Sequence, residues 1–145
     1  METISNNICI ASDHAGLVLK DQIISFLKKK KILISDLGPF QHKSVDYPDF
    51  AKKVATRVKK KKNNFGILVC GSGAGMAICA NKTRGIRAAV CYNSASTRLS
   101  RQHNNANIIA LGSRLTKKQS ALKLVLIFLC TKFEGGRHLR RIKKI

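Results

Sequence analysis

The chain predicts a single α/β domain, a three-layer Rossmann-like fold in which a five-stranded parallel sheet is flanked by helices. Two observations carry that reading. Short β-prone runs alternate with helical patterns over all 145 residues, as stacked strand-helix-strand units require. No linker, repeat or low-complexity stretch interrupts them, and a chain of this length can bury about 70% of its unfolded surface without a metal or disulfide staple. The whole of 1–145 therefore reads as one domain, with 134–145 as a basic C-terminal tail.

Ile8 to Ala11 reads as the first strand. From Leu17 to Lys29 the apolar positions Leu19, Ile23, Phe26 and Leu27 recur at helical spacing, and Ile32 to Leu37 forms the second strand. Gly38-Pro39 ends it, and the segment to Tyr47-Pro48 reads as loop. Phe50, Ala51, Val54, Ala55 and Val58 mark one face of the next helix. Ile67 to Cys70 is the third strand, Ala74 to Lys82 a short helix, Ala88 to Cys91 the fourth strand, Ser94 to Gln102 a helix and Ile108 to Leu111 the fifth strand. A last helix, about Lys117 to Lys132, carries two apolar stripes, Leu122/Val125/Leu126/Leu129 and Leu124/Ile127/Phe128. A helix apolar nearly all round is deeply buried or lies at a subunit interface, and at the end of a small domain a dimer is favoured. The tail from Glu134 to Ile145 reads as irregular.

Five cysteines stand singly with no C-x-x-C pair, which argues against a zinc site or disulfide framework and for a reducing, cytoplasmic setting. The opening Met1 to Asn7 lacks the basic flank and apolar run of a signal peptide. The longest apolar run, Leu124 to Cys130, is far short of the roughly 20 residues that span a bilayer. A net charge of +21 invites a nucleic-acid reading. Its distribution weakens that reading, because Lys28 to Lys31 and Lys59 to Lys62 each close an amphipathic segment, where cations oppose the negative end of a helix dipole. No aromatic residues interleave with them to stack bases.

Open parallel sheets place ligands beyond the carboxyl ends of their strands, which selects three segments. After strand three comes Cys70-Gly71-Ser72-Gly73-Ala74-Gly75. Glycines at alternate positions let successive N–H groups face one concavity, where a phosphate or a developing oxyanion could sit. Cys70 is either a reactive thiol beside that cradle or a small hydrophobe at a strand end. The loop lacks the Lys-Ser/Thr of a P-loop and the glycine spacing of a dinucleotide site. After strand one, Asp13-His14 supplies a carboxylate and an imidazole, although Ser12 or Asp13 could equally cap the helix. After strand five come Gly112-Ser113-Arg114. Arg101 to Asn105 ends a helix near the same face, where His103 is a candidate base or a solvated end residue. In the tail, Arg137 and Arg141 share one side of a turn, as solvated charge or as a phosphate clamp.

Together these segments resemble one family, the type B ribose-5-phosphate isomerases, related to galactose-6-phosphate and allose-6-phosphate isomerases. The matching motifs follow in order along nearly the entire chain: Ser12 to Gly16 with Leu19-Lys20, Asp46-Tyr47-Pro48, Val69 to Gly75, Ala80-Asn81-Lys82, Gly85 to Ala88, Ser100 to Asn104, Leu111 to Arg114 and Glu134 to His138.

The resemblance implies an aldose-ketose isomerase of the non-oxidative pentose phosphate pathway that works through an enediolate, without metal or cofactor. It assigns furanose ring opening to His103 with Asp13 as polar partner, and proton transfer between carbons 2 and 1 to Cys70. A free thiol is only a few per cent ionised at neutral pH, so this step needs N–H donors at the sulfur. The N–H groups of Gly71 to Gly75, Ala74 included, would hold the enediolate oxygens, and the hydroxyl of Ser72 stands where the family often has threonine. Phosphate falls to His14, Arg114, Arg137 and Arg141, and the sugar to Asn104 and Tyr47. His138 would support its neighbours. The partner implied is a small sugar phosphate, and the assembly a homodimer or tetramer with pockets shared between subunits. A hexose-6-phosphate isomerase is the near alternative, since the loop Phe40 to Val45 and the tail would set pocket depth. A basic nucleic-acid-binding protein on the same fold is the alternative of another class.

Overall fold

Ile4 and residues 7–145 are described by the computed structural model; the polar opening segment falls outside them except for Ile4 and Asn7. In chain order the elements are β1 (Ile8–Ser12), α1 (Leu17–Lys29), β2 (Ile34–Asp36), α2 (Tyr47–Val58), β3 (Phe65–Cys70), α3 (Ala74–Ala80), β4 (Ala88–Val90), α4 (Ser94–Gln102), β5 (Ile108–Gly112), α5 (Lys118–Cys130) and α6 (Arg137–Ile142). All strand pairs are parallel, in the order β2-β1-β3-β5-β4.

Strand alternation sorts the core into two faces. Ile8, Ile10, Phe65, Ile67, Val69, Ile109 and Leu111 point toward α1 and α5. Cys9, Ala11, Leu68, Cys70, Ile108 and Ala110 point toward α2 and α3. The three central strands are buried along their whole length, as a sheet covered on both faces demands.

Most expected bounds hold within two residues, and the departures have local causes. β2 starts at Ile34 because Lys31 takes a positive φ of 60° and the Ile32 N–H turns back to the Leu27 carbonyl. α2 starts at Tyr47, inside the expected loop, with Pro48 in the first turn, where its missing N–H costs nothing. The tail is not irregular: α6 follows two positive-φ glycines, Gly135 and Gly136. Six residues without a capping side chain carry too little pattern to be read as a helix.

The doubly apolar helix is largely absorbed by the core. α5 buries Leu124, Val125, Phe128 and Leu129, drawn from both expected stripes, and leaves Leu122, Leu126 and Ile127 half-buried. The lysine runs sit where the charge pattern placed them, at the C-terminal ends of α1 and α2.

Among the described residues, one charged side chain is wholly internal. Lys20 on α1 is fully buried, its Nζ donating to both carboxylate oxygens of Asp36 at 2.7 and 2.8 Å and to the Pro39 carbonyl at 2.9 Å. The ion pair ties α1 to the end of β2 and the turn after it. Lys20→Met should lower stability by about 2–4 kcal/mol, somewhat under the cost of breaking a fully buried pair because Asp36 keeps some contact with water. A urea midpoint within error of wild type would contradict this.

Candidate active site

β1, β3 and β5 end level, with Ser12 beside Val69 and Cys70 beside Gly112. The chain leaves β1 toward β2 and leaves β3 toward the other side of the sheet. Such a switch point opens a crevice between the two exits, and three loops meet there. The Asp13 N–H donates to the Val69 carbonyl at 3.1 Å, and the Asp13 carboxylate accepts from the Gly16 N–H at 2.9 Å. Asp13 thus braces the turn into α1. Gly16 is obligatory, because a Cβ there would lie 2.2 Å from the Val69 carbonyl oxygen. The Ser113 hydroxyl donates to the Ala15 carbonyl at 2.9 Å, and the Ser113 and Arg114 N–H groups donate to the Cys70 and Gly71 carbonyls. Loops from three strands are laced into one rim.

Cys70 faces this rim at 4% exposure. Its Sγ accepts the Gly73 N–H at 3.1 Å, a contact made possible by the left-handed Gly73 (φ 83°). The other deeply buried thiols lack such a setting. Burial pushes Cys9 up to about 12, against a small opposing pull from Arg57, and burial raises Cys91 despite hydrogen bonds from Thr97 and Ser100. Both remain protonated and inert at neutral pH.

Around Cys70, the Ser72 hydroxyl accepts the Ala74 N–H at 3.2 Å, and the Tyr92 hydroxyl holds the Ser72 carbonyl at 3.1 Å. The Arg114 guanidinium lies against Gly71 and the Tyr47 ring against Gly75, so a Cβ at either glycine would come within 2.9 Å of it. His14 is exposed, with Nδ1 accepting the Val45 N–H at 3.2 Å. Its proton therefore sits on Nε2, free to donate to an anion. The crevice joins one thiol, N–H donors, an arginine and an exposed histidine. Asp13, His14, Tyr47, Cys70, Gly71, Ser72, Gly73, Ala74, Gly75 and Arg114 all belong to it.

The remaining predicted residues lie elsewhere in the chain's own fold. α4 connects the end of β4 to the start of β5, so it runs antiparallel to the strands and delivers His103 and Asn104 to the opposite edge of the sheet. The expectation that this helix ends near the Cys70 face is corrected by that crossover. From Gly66, beside Ile108, to Cys70, beside Gly112, four residue steps separate the edges by about 13 Å.

His103 is held firmly at its own edge. Arg101, buried over the Phe65 and Phe128 rings, donates to the Asn105 side chain and to the Ala106 and Thr131 carbonyls. Burial, then the nearby charge of Arg87, lowers Arg101 to about 10, still charged at neutral pH. Arg87 donates to the Asn104 and Asn105 carbonyls. The Glu134 N–H donates to the Gln102 carbonyl at 3.1 Å, bringing α6 with Arg137, His138 and Arg141 alongside. His103 and His138 stack at 4.2 Å and 11°, with Glu134 Oε2 at 3.9 and 3.6 Å from their Nε2 atoms.

Burial lowers His138 below the usual imidazole value, with the charges of His103, Arg137 and Arg141 acting the same way and Glu134 opposing. The unfolded chain then takes up this proton first, so stability is complete above about pH 6.5 and falls as pH drops through that value toward the folded pKa. Thermal midpoints measured from pH 7.5 to 5.5 should fall less in His138→Gln than in wild type. Equal slopes would remove His138 from the account.

Gly16, Tyr92 and Glu134 were not among the predicted site residues. Tyr92 stands two residues past the end of β4, so the strand-end rule that selected Cys70 would have found it. Glu134 had no signal beyond its place in the tail motif.

The fold and the crevice define an α/β protein with a thiol set among backbone N–H donors beside Arg114 and His14. The sequence pattern of the family described as Ribose/Galactose Isomerase matches residues 8–145, and the chain belongs to that family. It is 48% identical over 144 residues to a probable ribose-5-phosphate isomerase B of Mycoplasma genitalium, covering 98% of this chain and 95% of the relative. It is 41% identical to the ribose-5-phosphate isomerase B of Escherichia coli, covering 95% and 93%. A crystal structure of the Mycoplasma genitalium enzyme with bound ribulose-5-phosphate superposes with a TM-score of 0.93 at 47% identity, covering 97% of this chain and 93% of that one.

Proposed function

We propose that this chain is a ribose-5-phosphate isomerase that interconverts ribose 5-phosphate and ribulose 5-phosphate. The observation that carries the reading is Cys70, its sulfur receiving the Gly73 N–H inside a crevice flanked by Arg114 and His14. The relative solved with ribulose-5-phosphate supports the choice of a pentose.

The pocket is completed by a second copy of the chain. Cys70 and His103 stand at opposite edges of one sheet, so a head-to-tail pair of subunits sets His103, Asn104, Arg137 and Arg141 of the partner subunit over the Cys70 crevice, and the reverse. In this homodimer the arginines, with Arg114 and His14, hold the phosphate in pairs of hydrogen bonds. His103 of the partner subunit moves the proton of the O1 hydroxyl to the ring oxygen as the C1–O4 bond breaks. The Cys70 thiolate takes the proton from carbon 2, electrons flow to O1, and the enediolate rests on the loop N–H groups and the Ser72 hydroxyl. Cys70 returns its proton to carbon 1 while the O2 proton passes to O1, leaving the ketose.

A cytoplasmic setting agrees with five free thiols, and no helix among the described residues is long and apolar enough to cross a membrane. The net charge of +21 draws a dianionic sugar phosphate to the site, so kcat/KM should fall with ionic strength. The test is turnover with chelator present. Ribose 5-phosphate should be converted well ahead of allose 6-phosphate and galactose 6-phosphate. Preference for either hexose, or saturable duplex DNA binding with no turnover, would overturn the proposal.

A further inference from the structure

Among the described residues, His103, Glu134 and His138 are the group whose donor atoms, one from each, all lie within 4.8 Å of one another. The geometry points to a site for a divalent transition metal of the zinc class, built from the two imidazoles and the Glu134 carboxylate, whose occupancy withdraws His103 from the reaction. The catalytic consequence rests on His103 acting in ring opening; the binding itself does not.

Two imidazoles and one carboxylate are a zinc donor set that leaves a fourth position for water. Bonds of about 2.0–2.1 Å in a tetrahedron put donors about 3.3 Å apart. Glu134 Oε2 already stands 3.9 Å from His103 Nε2 and 3.6 Å from His138 Nε2. The rings lie nearly parallel, so their lone pairs leave side by side, and convergence needs each ring to turn about its Cβ–Cγ bond. That torsion is broad for imidazoles, and the side chains of His103 and Glu134 are 38% and 49% exposed, with room to follow.

The backbone is already shaped to bring the three together. Glu134 is pinned beside His103 through its N–H bond to Gln102, and the His138 N–H closes onto the Gly135 carbonyl. Between them the chain turns through Gly135 and Gly136 at φ 68° and 55°, conformations that glycine alone adopts without strain. Arg137 and Arg141 oppose any dication, which disfavours hard ions held by charge alone and selects metals with affinity for imidazole. The exposed Cys130 is the competing soft ligand that a test must separate.

The full-length chain would be titrated with cobalt(II), whose visible spectrum distinguishes nitrogen and oxygen ligands from thiolate. The expected result is one cobalt per chain without a thiolate charge-transfer band, unchanged in Cys130→Ser. Since even outer-shell partners cost about 10–100-fold in affinity, Glu134→Gln and His138→Gln should each weaken binding at least about 10-fold, with circular dichroism confirming that both variants fold. Turnover of ribose 5-phosphate should fall in step with cobalt occupancy and return on adding EDTA. A thiolate band, loss of binding in Cys130→Ser, unchanged affinity in both ligand variants, or saturation without loss of turnover would overturn the inference. A metal-free wild-type chain inactive on ribose 5-phosphate would instead overturn the proposed function and the inhibitory consequence with it, while the cobalt spectra still report on the site.

Discussion

Replacing Cys70 by alanine is expected to lower kcat for ribose 5-phosphate by about 10²–10⁴-fold, the range a positioned general base contributes. The neighbouring polar side chains are already engaged: Asp13 spends a carboxylate oxygen on the Gly16 N–H, and Ser72 accepts from Ala74. The fold should survive, because the change deletes one atom at the end of a strand and leaves the backbone bond from Ser113 N–H to the Cys70 carbonyl in place. Substrate binding should survive as well, since phosphate and sugar contacts come from other residues; KM would then stay near wild type while kcat falls. Cys9→Ala and Cys91→Ala are the controls. Both thiols are buried and held in the protonated form, so their loss should cost stability and not turnover. A Cys70→Ala variant with near-normal kcat would remove the base from the mechanism.

Much of the fold was legible because strand alternation and helical stripes agree along the whole chain. Ile8, Ile10, Ile67 and Ile109 face one side, Cys9, Leu68 and Ala110 the other, and α1 and α4 have the bounds their patterns predict. The Cys70 half of the site was legible for a related reason. Parallel strands ending level put all their following loops at one edge, so Asp13, Cys70 and Arg114 can be placed together from position alone. What escaped the pattern was set by contacts distant in sequence. α6 forms with His138 packed on His103, 35 residues earlier in the numbering. Tyr47 joins α2 while its ring rests on Gly75. His103 was expected at the Cys70 edge and stands at the other, because a motif match records residue types while the crossover direction of α4 decides where they go.

That separation yields the most direct test of the account, whose central claim is that each active site draws Cys70 from one subunit and His103 from the other. Cys70→Ala and His103→Asn would be prepared separately, each nearly inactive, then mixed in equal amounts, unfolded and refolded together. In a mixed dimer one site carries both substitutions and the other carries neither, so random pairing should restore about a quarter of the wild-type kcat. Mixed samples as inactive as the two parents would contradict shared sites and require Cys70 and His103 to act within one chain.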